Sequence, residues 1–130
     1  MRVFLTGASS GLGEALAAEY ARRYDRELTI GLVARRAGEL ARGGNTLGRA
    51  RVLVYRVDVT DRNALLDAGD NFMREAGTPD VVIANAGVSR GVLTECRSDL
   101  EAFARIVQTN LVAMATTFAP FVTSMREAGH

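Results

Sequence analysis

Apolar residues follow two different spacings along the chain. Four short runs rich in Val, Leu, Ile and Phe have the composition of buried strands, and the longer segments around them repeat apolar residues at helical spacing. The predicted strands are Arg2–Thr6, Leu28–Val33, Arg51–Val57 and Val81–Ala84; the predicted helices are Gly11–Arg23, Ala37–Arg42, Arg62–Ala76 and a long fourth helix that begins near Ser98. The pattern therefore predicts four strand–helix units in succession.

Strands joined by single helical crossovers form a parallel sheet, because each crossover returns the chain to the edge where the previous strand began. We therefore expect an α/β fold built on a doubly wound parallel sheet. In such sheets the ligand crevice lies at the carboxyl ends of the strands, where the strand order reverses. The loops after the first and fourth strands are the first candidates for a binding site.

Individual residues predict how two of the helices pack, begin and bend. In the first helix, Leu12 and Leu16 fall on the stripe that the apolar spacing turns toward the sheet. In the fourth, Ser98 and Glu101 have the spacing of a capping box, in which each side chain accepts from a backbone N–H of the first turn. Pro120 removes one helical hydrogen bond and predicts a bend near the end of that helix.

Composition and charge narrow the function classes. The chain has 130 residues, of which 48% are hydrophobic and 24% charged, as expected for one globular domain. A net charge of +1 provides no field strong enough to favour nucleic acid or a membrane surface, so we expect a small-molecule partner. All sixteen basic residues are arginines, and the only cysteine and histidine are Cys96 and His130, so we expect no metal site and no histidine-based triad.

The first five residues form only a short apolar run before glycine-rich sequence, which does not fit a signal peptide. The longest apolar stretch, from Leu111 to Val122, contains Pro120 and is shorter than the roughly 20 residues that span a bilayer. Together with an unpaired cysteine, these features predict a cytoplasmic protein.

The loop after the first strand carries glycines spaced as G-x-x-x-G-x-G, at Gly7, Gly11 and Gly13. In a strand-to-helix turn of this kind, Gly7 permits the tight turn, Gly11 lets a pyrophosphate approach the backbone, and Gly13 lets the helix pack closely on the sheet. Free N–H groups at the helix start then face the anion. A glycine-rich turn that merely begins a helix is the simpler alternative.

With the preceding Thr6, this loop resembles the T-G-x-x-x-G-x-G cofactor motif of the short-chain dehydrogenase/reductase family. The resemblance implies a Rossmann-like sheet in strand order 3-2-1-4, here ending after the fourth helix. It also assigns roles to three later motifs: Asp58-Val59 at the adenine ring, Asn85-Ala86-Gly87 beneath the cofactor, and Asn110 in the proton relay of the catalytic group. Singly, these motifs could also be a solvated strand end, an ordinary turn and a self-bonded helical asparagine.

Charge after the second strand bears on which nicotinamide cofactor is preferred. Arg35 and Arg36 follow that strand, and no acidic residue occurs before Glu39. Enzymes that prefer NAD place an acid here for the ribose 2′-hydroxyl, whereas a 2′-phosphate needs a cation. We therefore expect NADP in preference to NAD, although two solvated surface arginines would look the same. Methyl transfer from S-adenosylmethionine is disfavoured by the same missing acid. The candidate cofactor residues are Thr6, Gly7, Ser9, Ser10, Gly11, Leu12, Gly13, Arg35, Arg36, Asp58, Val59, Asn85, Ala86 and Gly87.

The family's catalytic serine and its Tyr-x-x-x-Lys motif have no counterpart, since the sequence contains no lysine and its three tyrosines lie at unmatched positions. Asn110 is the only matched catalytic residue. We therefore expect residues 1–130 to be a single cofactor-binding domain, incomplete at its C-terminus and inactive alone. In its complete form it is expected to transfer hydride to or from a carbonyl or alcohol. The alternative is a non-catalytic homologue that binds nucleotide or self-associates through the edge of its fourth strand. A homo-oligomer is expected in either case.

Overall fold

The computed structural model describes residues 1–36 and 47–129. The elements are β1 (Arg2–Thr6), α1 (Gly11–Tyr24), a 3₁₀ turn (Asp25–Glu27), β2 (Thr29–Val33), β3 (Arg51–Tyr55), α2 (Arg62–Ala76), β4 (Val81–Ala84), α3 (Asp99–Val107), a π-helical segment (Gln108–Val112), α4 (Ala113–Phe118) and α5 (Val122–Ala128). The short helix predicted at Ala37–Arg42 lies outside the described residues, as does His130.

The four strands form one parallel sheet in the order β3-β2-β1-β4, which confirms the predicted fold class. Thr6, the last residue of β1, stands level with Val33 of β2 and with Ala84 of β4. The loops that leave these three strands therefore start from one edge of the sheet. β2 begins one residue later than predicted and β3 ends two residues earlier, where Val57 N–H donates to the carbonyl of Tyr55.

Side chains of successive strand residues alternate between two cores, as the pleat requires. On one face, Val3, Leu5, Ile30 and Leu32 pack with α1. On the other face, Phe4 meets α2 and the turn before α5. Three aromatic rings form the centre of this second core. The ring centroid of Phe4 lies 5.4 Å from that of Phe72 and 4.9 Å from that of Phe121. The sheet is thus covered by helices on both sides.

The packing face of α1 differs from the prediction. Leu12 is 68% exposed, and the buried residues are Gly13, Ala17 and Ala21, one helical turn apart. Small side chains let the helix axis lie closer to the sheet than leucines would, and close packing of the whole helix outweighs burial of one side chain. Leu16 lies half-buried at the margin of the core.

The predicted capping box at the start of α3 does not form. Ser98 already has helical dihedral angles and makes no capping hydrogen bond. Asp99 holds the preceding loop instead, because its Oδ2 accepts from Leu93 N–H at 3.0 Å and its Oδ1 lies 3.8 Å from Arg90. The bend expected at Pro120 is confirmed, since the helix axes on either side of residues 119–121 differ by 46°. The π-helical segment was not predicted.

Residues 99–128, which we call the helical arm, bury one side and expose an apolar face. The side of the arm that faces the sheet is buried at Thr109, Ala113, Thr117 and Phe121. The apolar arm face consists of exposed Leu100, Phe103, Leu111, Val112, Met114 and Val122. All four residues of β4 are only half-buried, so that strand is less covered than the sequence suggests.

Within residues 1–36 and 47–129, no single helix has the length and hydropathy to cross a membrane; only Arg97–Phe118 and Val122–Ala128 taken together meet that criterion.

Candidate functional site

A cleft of about 320 Å³ opens at the carboxyl edge of the sheet, where the loops after all four strands meet. Its walls come from the start of α1, the two residues after β2, the turn after β3, the loop after β4 and one face of α3. Among the predicted site residues, the cleft is lined by Gly7, Ser9, Ser10, Leu12, Arg35, Arg36, Asp58, Val59, Asn85, Ala86 and Gly87. The position is the one expected for a doubly wound sheet.

Two hydrogen bonds tie the loop after β1 to the loop after β4. Asn85 Nδ2 donates to the carbonyl of Gly7 at 3.1 Å, and Ala86 N–H donates to Thr6 Oγ1 at 3.2 Å. Thr6 is itself buried, so its hydroxyl serves the fold and does not line the cleft. These two bonds hold the floor of the cleft in one arrangement before any ligand arrives.

Gly13 and Gly11 occur in the first loop for different structural reasons. A Cβ at Gly13 would lie 2.1 Å from the carbonyl oxygen of Gly7, so no other residue fits there without moving the loop. Gly11 has a φ of +60°, a region that side chains disfavour, yet a Cβ there would meet nothing within 4 Å. Gly13 is therefore fixed by packing, whereas the space beside Gly11 is open to a ligand.

The start of α1 offers backbone donors to that space. Ser10 at the N-cap is extended, with φ −164°, and makes no side-chain capping hydrogen bond. The first N–H groups of a helix have no intrahelical acceptor and lie at the positive end of its dipole. An anionic group beside Gly11 can satisfy them, as phosphates do at many helix N-termini.

Asp58 is anchored by one carboxylate oxygen. Its Oδ1 accepts from Thr60 N–H at 3.0 Å and from Thr60 Oγ1 at 2.8 Å. Across residues 1–36 and 47–129, its Oδ2 accepts no hydrogen bond; the nearest cation, Arg35 Nη1, is 3.8 Å away. Asp58 lines the cleft, and its Oδ2 can accept a hydrogen bond from a ligand there.

Asp58 stays ionised in this setting. Partial burial by itself would raise its pKa, and the two hydrogen bonds from Thr60 act in the opposite direction. The charges of Arg35 and Arg105 add to the lowering, so the pKa of the Asp58 carboxyl lies below its ordinary value. At neutral pH the Asp58 carboxylate therefore shares the cleft with Arg35, Arg36 and Arg105.

Asn110 does not line the cleft. It lies in the π-helical segment, where its Oδ1 accepts from Val88 N–H at 2.8 Å and its Nδ2 donates to the Val88 carbonyl at 2.9 Å. Both ends of the amide are therefore used to hold the loop that follows Gly87. The geometry shows a support for the cleft wall, and the proton-relay role implied by the resemblance stays a prediction.

The cleft also contains residues that the sequence did not single out. Arg105 and Thr109 enter it from α3 and the π-helical segment, four residues apart and so on one helical face. Thr60 lies in the wall beside Asp58, and the pattern Asp-x-Thr, in which the aspartate side chain caps its own turn, could have found it. No sequence signal marks Arg105, because its direction depends on how α3 is rotated against the sheet.

Comparison with known proteins extends these observations. The sequence profile of the short chain dehydrogenase family matches residues 1–130. Cis-4-hydroxycyclohexanecarboxylate dehydrogenase of Sinomonas cyclohexanicum is 34% identical over 125 residues, which are 96% of this chain and 49% of that protein. The chain spans about half the length, or less, of the curated relatives it matches.

Solved structures give the same result for the fold. An alcohol dehydrogenase from the archaeon Thermococcus sibiricus, complexed with 5-hydroxy-NADP, superposes with a TM-score of 0.89 at 28% identity, covering 98% of this chain and 54% of that one. Carveol dehydrogenase from Mycobacterium avium, in complex with NAD, gives 0.85 at 23% identity, covering 99% and 50%. By sequence profile, relatives and sheet topology alike, the chain belongs to the short-chain dehydrogenase family.

Proposed function

We propose that this chain is the NADP-binding part of an oxidoreductase that moves hydride between a nicotinamide and a carbonyl or alcohol substrate. The observation that carries the proposal is the cleft itself, which brings an uncapped helix start, an open space beside Gly11 and two arginines after β2 to one edge of the sheet. The domain spans residues 1–130 and is incomplete at its C-terminus in this proposal.

The residues of the cleft fit an adenine dinucleotide in three places. The pyrophosphate would rest on the N–H groups at the start of α1, where Gly11 leaves room. Asp58 Oδ2 would accept from the amino group of adenine, and Asn85-Ala86-Gly87 would support the nicotinamide half. Bound there, the nicotinamide supplies the hydride chemistry; the protein residues bind it and orient it.

The preference for NADP rests on charge. Arg35 and Arg36 lie in the cleft wall and no acidic side chain except Asp58 lines it, as far as the chain is described. A 2′-phosphate beside two guanidinium groups gains charge-assisted hydrogen bonds, each worth about 1.5–3 kcal/mol. The fold occurs with both kinds of cofactor, since the Thermococcus sibiricus alcohol dehydrogenase is complexed with 5-hydroxy-NADP and the Mycobacterium avium carveol dehydrogenase with NAD. The preference of this chain therefore depends on these side chains.

Calorimetric titration of the 130-residue chain with NADP and with NAD tests the proposal. We expect NADP to bind at least tenfold more tightly than NAD. The double substitution Arg35→Gln with Arg36→Gln should weaken NADP by about 10- to 100-fold and NAD by less than threefold. Arg126→Gln, at the exposed end of α5 far from the cleft, is the matched control. Equal affinities for the two cofactors in the parent chain would overturn the preference.

Catalysis by the 130 residues alone is not part of the proposal. No lysine occurs in the sequence, and among residues 1–36 and 47–129 none of those that line the cleft is a tyrosine, histidine or cysteine. General acid–base assistance is worth roughly 10²–10⁴ in rate, so we expect the chain to bind cofactor without measurable carbonyl reduction. Turnover in a purified sample would show that a group we have not assigned transfers the proton.

Self-association is the second candidate function, favoured by a specific observation. The apolar arm face is exposed and β4 is half-buried at one edge of the sheet. Exposed apolar helices and open strand edges favour pairing with another chain. We propose a homo-oligomer located in the cytoplasm; association without any binding of NADP or NAD would favour the non-catalytic alternative.

A further inference from the structure

We propose that Arg105 contacts the adenine base, and that its guanidinium and Oδ2 of Asp58 recognise one edge of that base as a donor–acceptor pair. This inference rests on the proposed function, because it needs a nucleotide in the cleft.

The position of Arg105 is the first argument. β3 and β4 are the two outer strands of the sheet, and the segments that follow them both lean over the cleft. Asp58 enters from the turn after β3, and Arg105 enters from α3, which follows β4. The positive charge of Arg105 is felt at the Asp58 carboxylate, where it lowers the pKa. Asp58 and Arg105 therefore lie in the same part of the cleft, and Arg35 lies beside Asp58.

The second argument is that the fold does not use this guanidinium. Arg90, in the loop before α3, pairs with Asp99, and Arg35 lies 3.8 Å from Asp58. Arg105 is exposed, and in the part of the chain that the structure describes no carboxylate oxygen lies within 4.0 Å of it. An exposed arginine that lines a binding cleft without a structural partner is placed to meet a ligand.

The chemistry of adenine matches this pair. One edge of the base presents the 6-amino group, a donor, next to N7, an acceptor. A carboxylate can only accept and a guanidinium can only donate, so Asp58 Oδ2 suits the amino group and Arg105 suits the ring nitrogen. Hypoxanthine replaces the amino group with a carbonyl, which would face the carboxylate with a second acceptor. The pair should therefore favour adenine over hypoxanthine.

This role differs from that of Arg35 and Arg36. Those two residues follow β2, where the ribose 2′-position is expected, whereas Arg105 belongs to α3, which follows β4. A contact to the base contributes equally to NADP and to NAD, and a contact to the 2′-phosphate contributes to NADP alone. The loss of affinity for NADP, divided by the loss of affinity for NAD in the same variant, therefore distinguishes the two roles.

The test measures dissociation constants of the 130-residue chain by calorimetry, with NADP, NAD and the hypoxanthine analogue of NADP as probes. Arg105→Gln should weaken NADP and NAD by the same factor, about tenfold. Because N7 is common to adenine and hypoxanthine, Arg105→Gln should leave the discrimination between NADP and its hypoxanthine analogue nearly unchanged, whereas Asp58→Asn should reduce it. Arg97→Gln removes an exposed arginine near the start of α3 that does not line the cleft, and should change no constant by more than twofold.

Three results would overturn the inference, and one of them would also refute the proposed function. A loss confined to NADP would make Arg105 a phosphate ligand. Unchanged constants for Arg105→Gln, in a chain where Arg35→Gln with Arg36→Gln weakens NADP, would leave Arg105 without a role in binding. A parent chain that binds neither dinucleotide would refute the proposed function itself. A thermal unfolding midpoint equal to that of the parent shows that a loss of affinity is not a loss of fold.

Discussion

The loop of residues 6–13 and the helical arm of residues 99–128 differ in where their contacts lie. In the loop, backbone groups and small side chains pack against the neighbouring loop after β4, and a Cβ at Gly13 would collide with the carbonyl of Gly7. In the arm, one side packs beneath the sheet while six large apolar residues face outward. The loop makes its contacts with other parts of the same chain, whereas the arm exposes an apolar surface that a partner can cover.

This difference shows what each region contributes to the protein. The loop packs through glycines and short polar side chains, and the space beside Gly11 stays open. The arm buries Thr109, Ala113 and Phe121 on one side, and its outer apolar face is exposed. Substitutions should therefore unfold the protein in the loop and change its assembly in the arm.

Gly13→Ala should have the largest effect on stability. The new methyl group would lie 2.1 Å from the Gly7 carbonyl, so the loop or α1 must move. We expect a loss of about 3 kcal/mol in the free energy of unfolding, at the upper end for overpacking. Urea denaturation measures it. Gly91→Ala is the control, because a Cβ there meets nothing within 4 Å and its φ is not positive; a similar loss in both variants would refute the packing argument.

Leu111→Glu should change assembly with little effect on the fold. Leu111 is 59% exposed on the apolar arm face, so a carboxylate there is solvated in the monomer and buried in any association through that face. We expect the dissociation constant of the oligomer to rise about tenfold or more, and the unfolding free energy to change by less than about 0.5 kcal/mol. Light scattering over a concentration series measures the first quantity.

Leu93 offers a matched control for that experiment. It is also 59% exposed but lies in the loop before α3, outside residues 99–128. Leu93→Glu should leave the oligomer unchanged. A parent chain that is monomeric at high concentration would contradict association through the arm.

Asp80→Asn tests the smaller electrostatic contribution that joins β1 to the segment before β4. Asp80 accepts from Arg2 N–H at 2.6 Å and from the Arg2 guanidinium at 3.1 Å. Partial burial alone would raise the pKa of Asp80, but the hydrogen bonds and charge of Arg2 lower it overall. We expect the substitution to cost about 1 kcal/mol at pH 7.

The pH dependence of that cost has a fixed sign. A carboxyl whose pKa is lower in the folded state stabilises the protein above its unfolded pKa, and this stabilisation is lost as the pH falls through the folded value. The stability difference between parent and Asp80→Asn should therefore shrink below the ordinary value of 3.8. Urea midpoints measured from pH 7 to pH 3 follow it, and a difference that grows on acidification would contradict the assignment.

The strand order and most of the cleft could be predicted from sequence because both depend on local patterns. Alternating strands and helices determine a parallel sheet, and the glycine loop marks one ligand-facing edge of it. The N-cap of α2 is equally local, since Asp61 Oδ1 accepts from Ala64 N–H at 3.1 Å. These features need only the residues within a few positions of one another.

The remaining features depend on contacts between distant segments. Leu12 is exposed because α1 lies close to the sheet on Gly13, Ala17 and Ala21, a choice that only the assembled packing decides. The capping box at Ser98 does not form because Ser98 itself has helical dihedral angles, and Asp99 instead holds the preceding loop. Arg105 reaches the cleft only because of the rotation of α3, which the sequence period does not determine.

The central claim is that the backbone at the start of α1 holds the phosphates of a dinucleotide. Amide chemical shifts of the ¹⁵N-labelled chain, recorded while NADP is added, test it most directly. We expect saturable changes in amide chemical shift that are largest at Gly11, Leu12 and Gly13, smaller at Asn85–Gly87, and almost absent in the apolar arm face. Shifts that concentrate in the arm, or no saturable shift in residues 7–13, would contradict it.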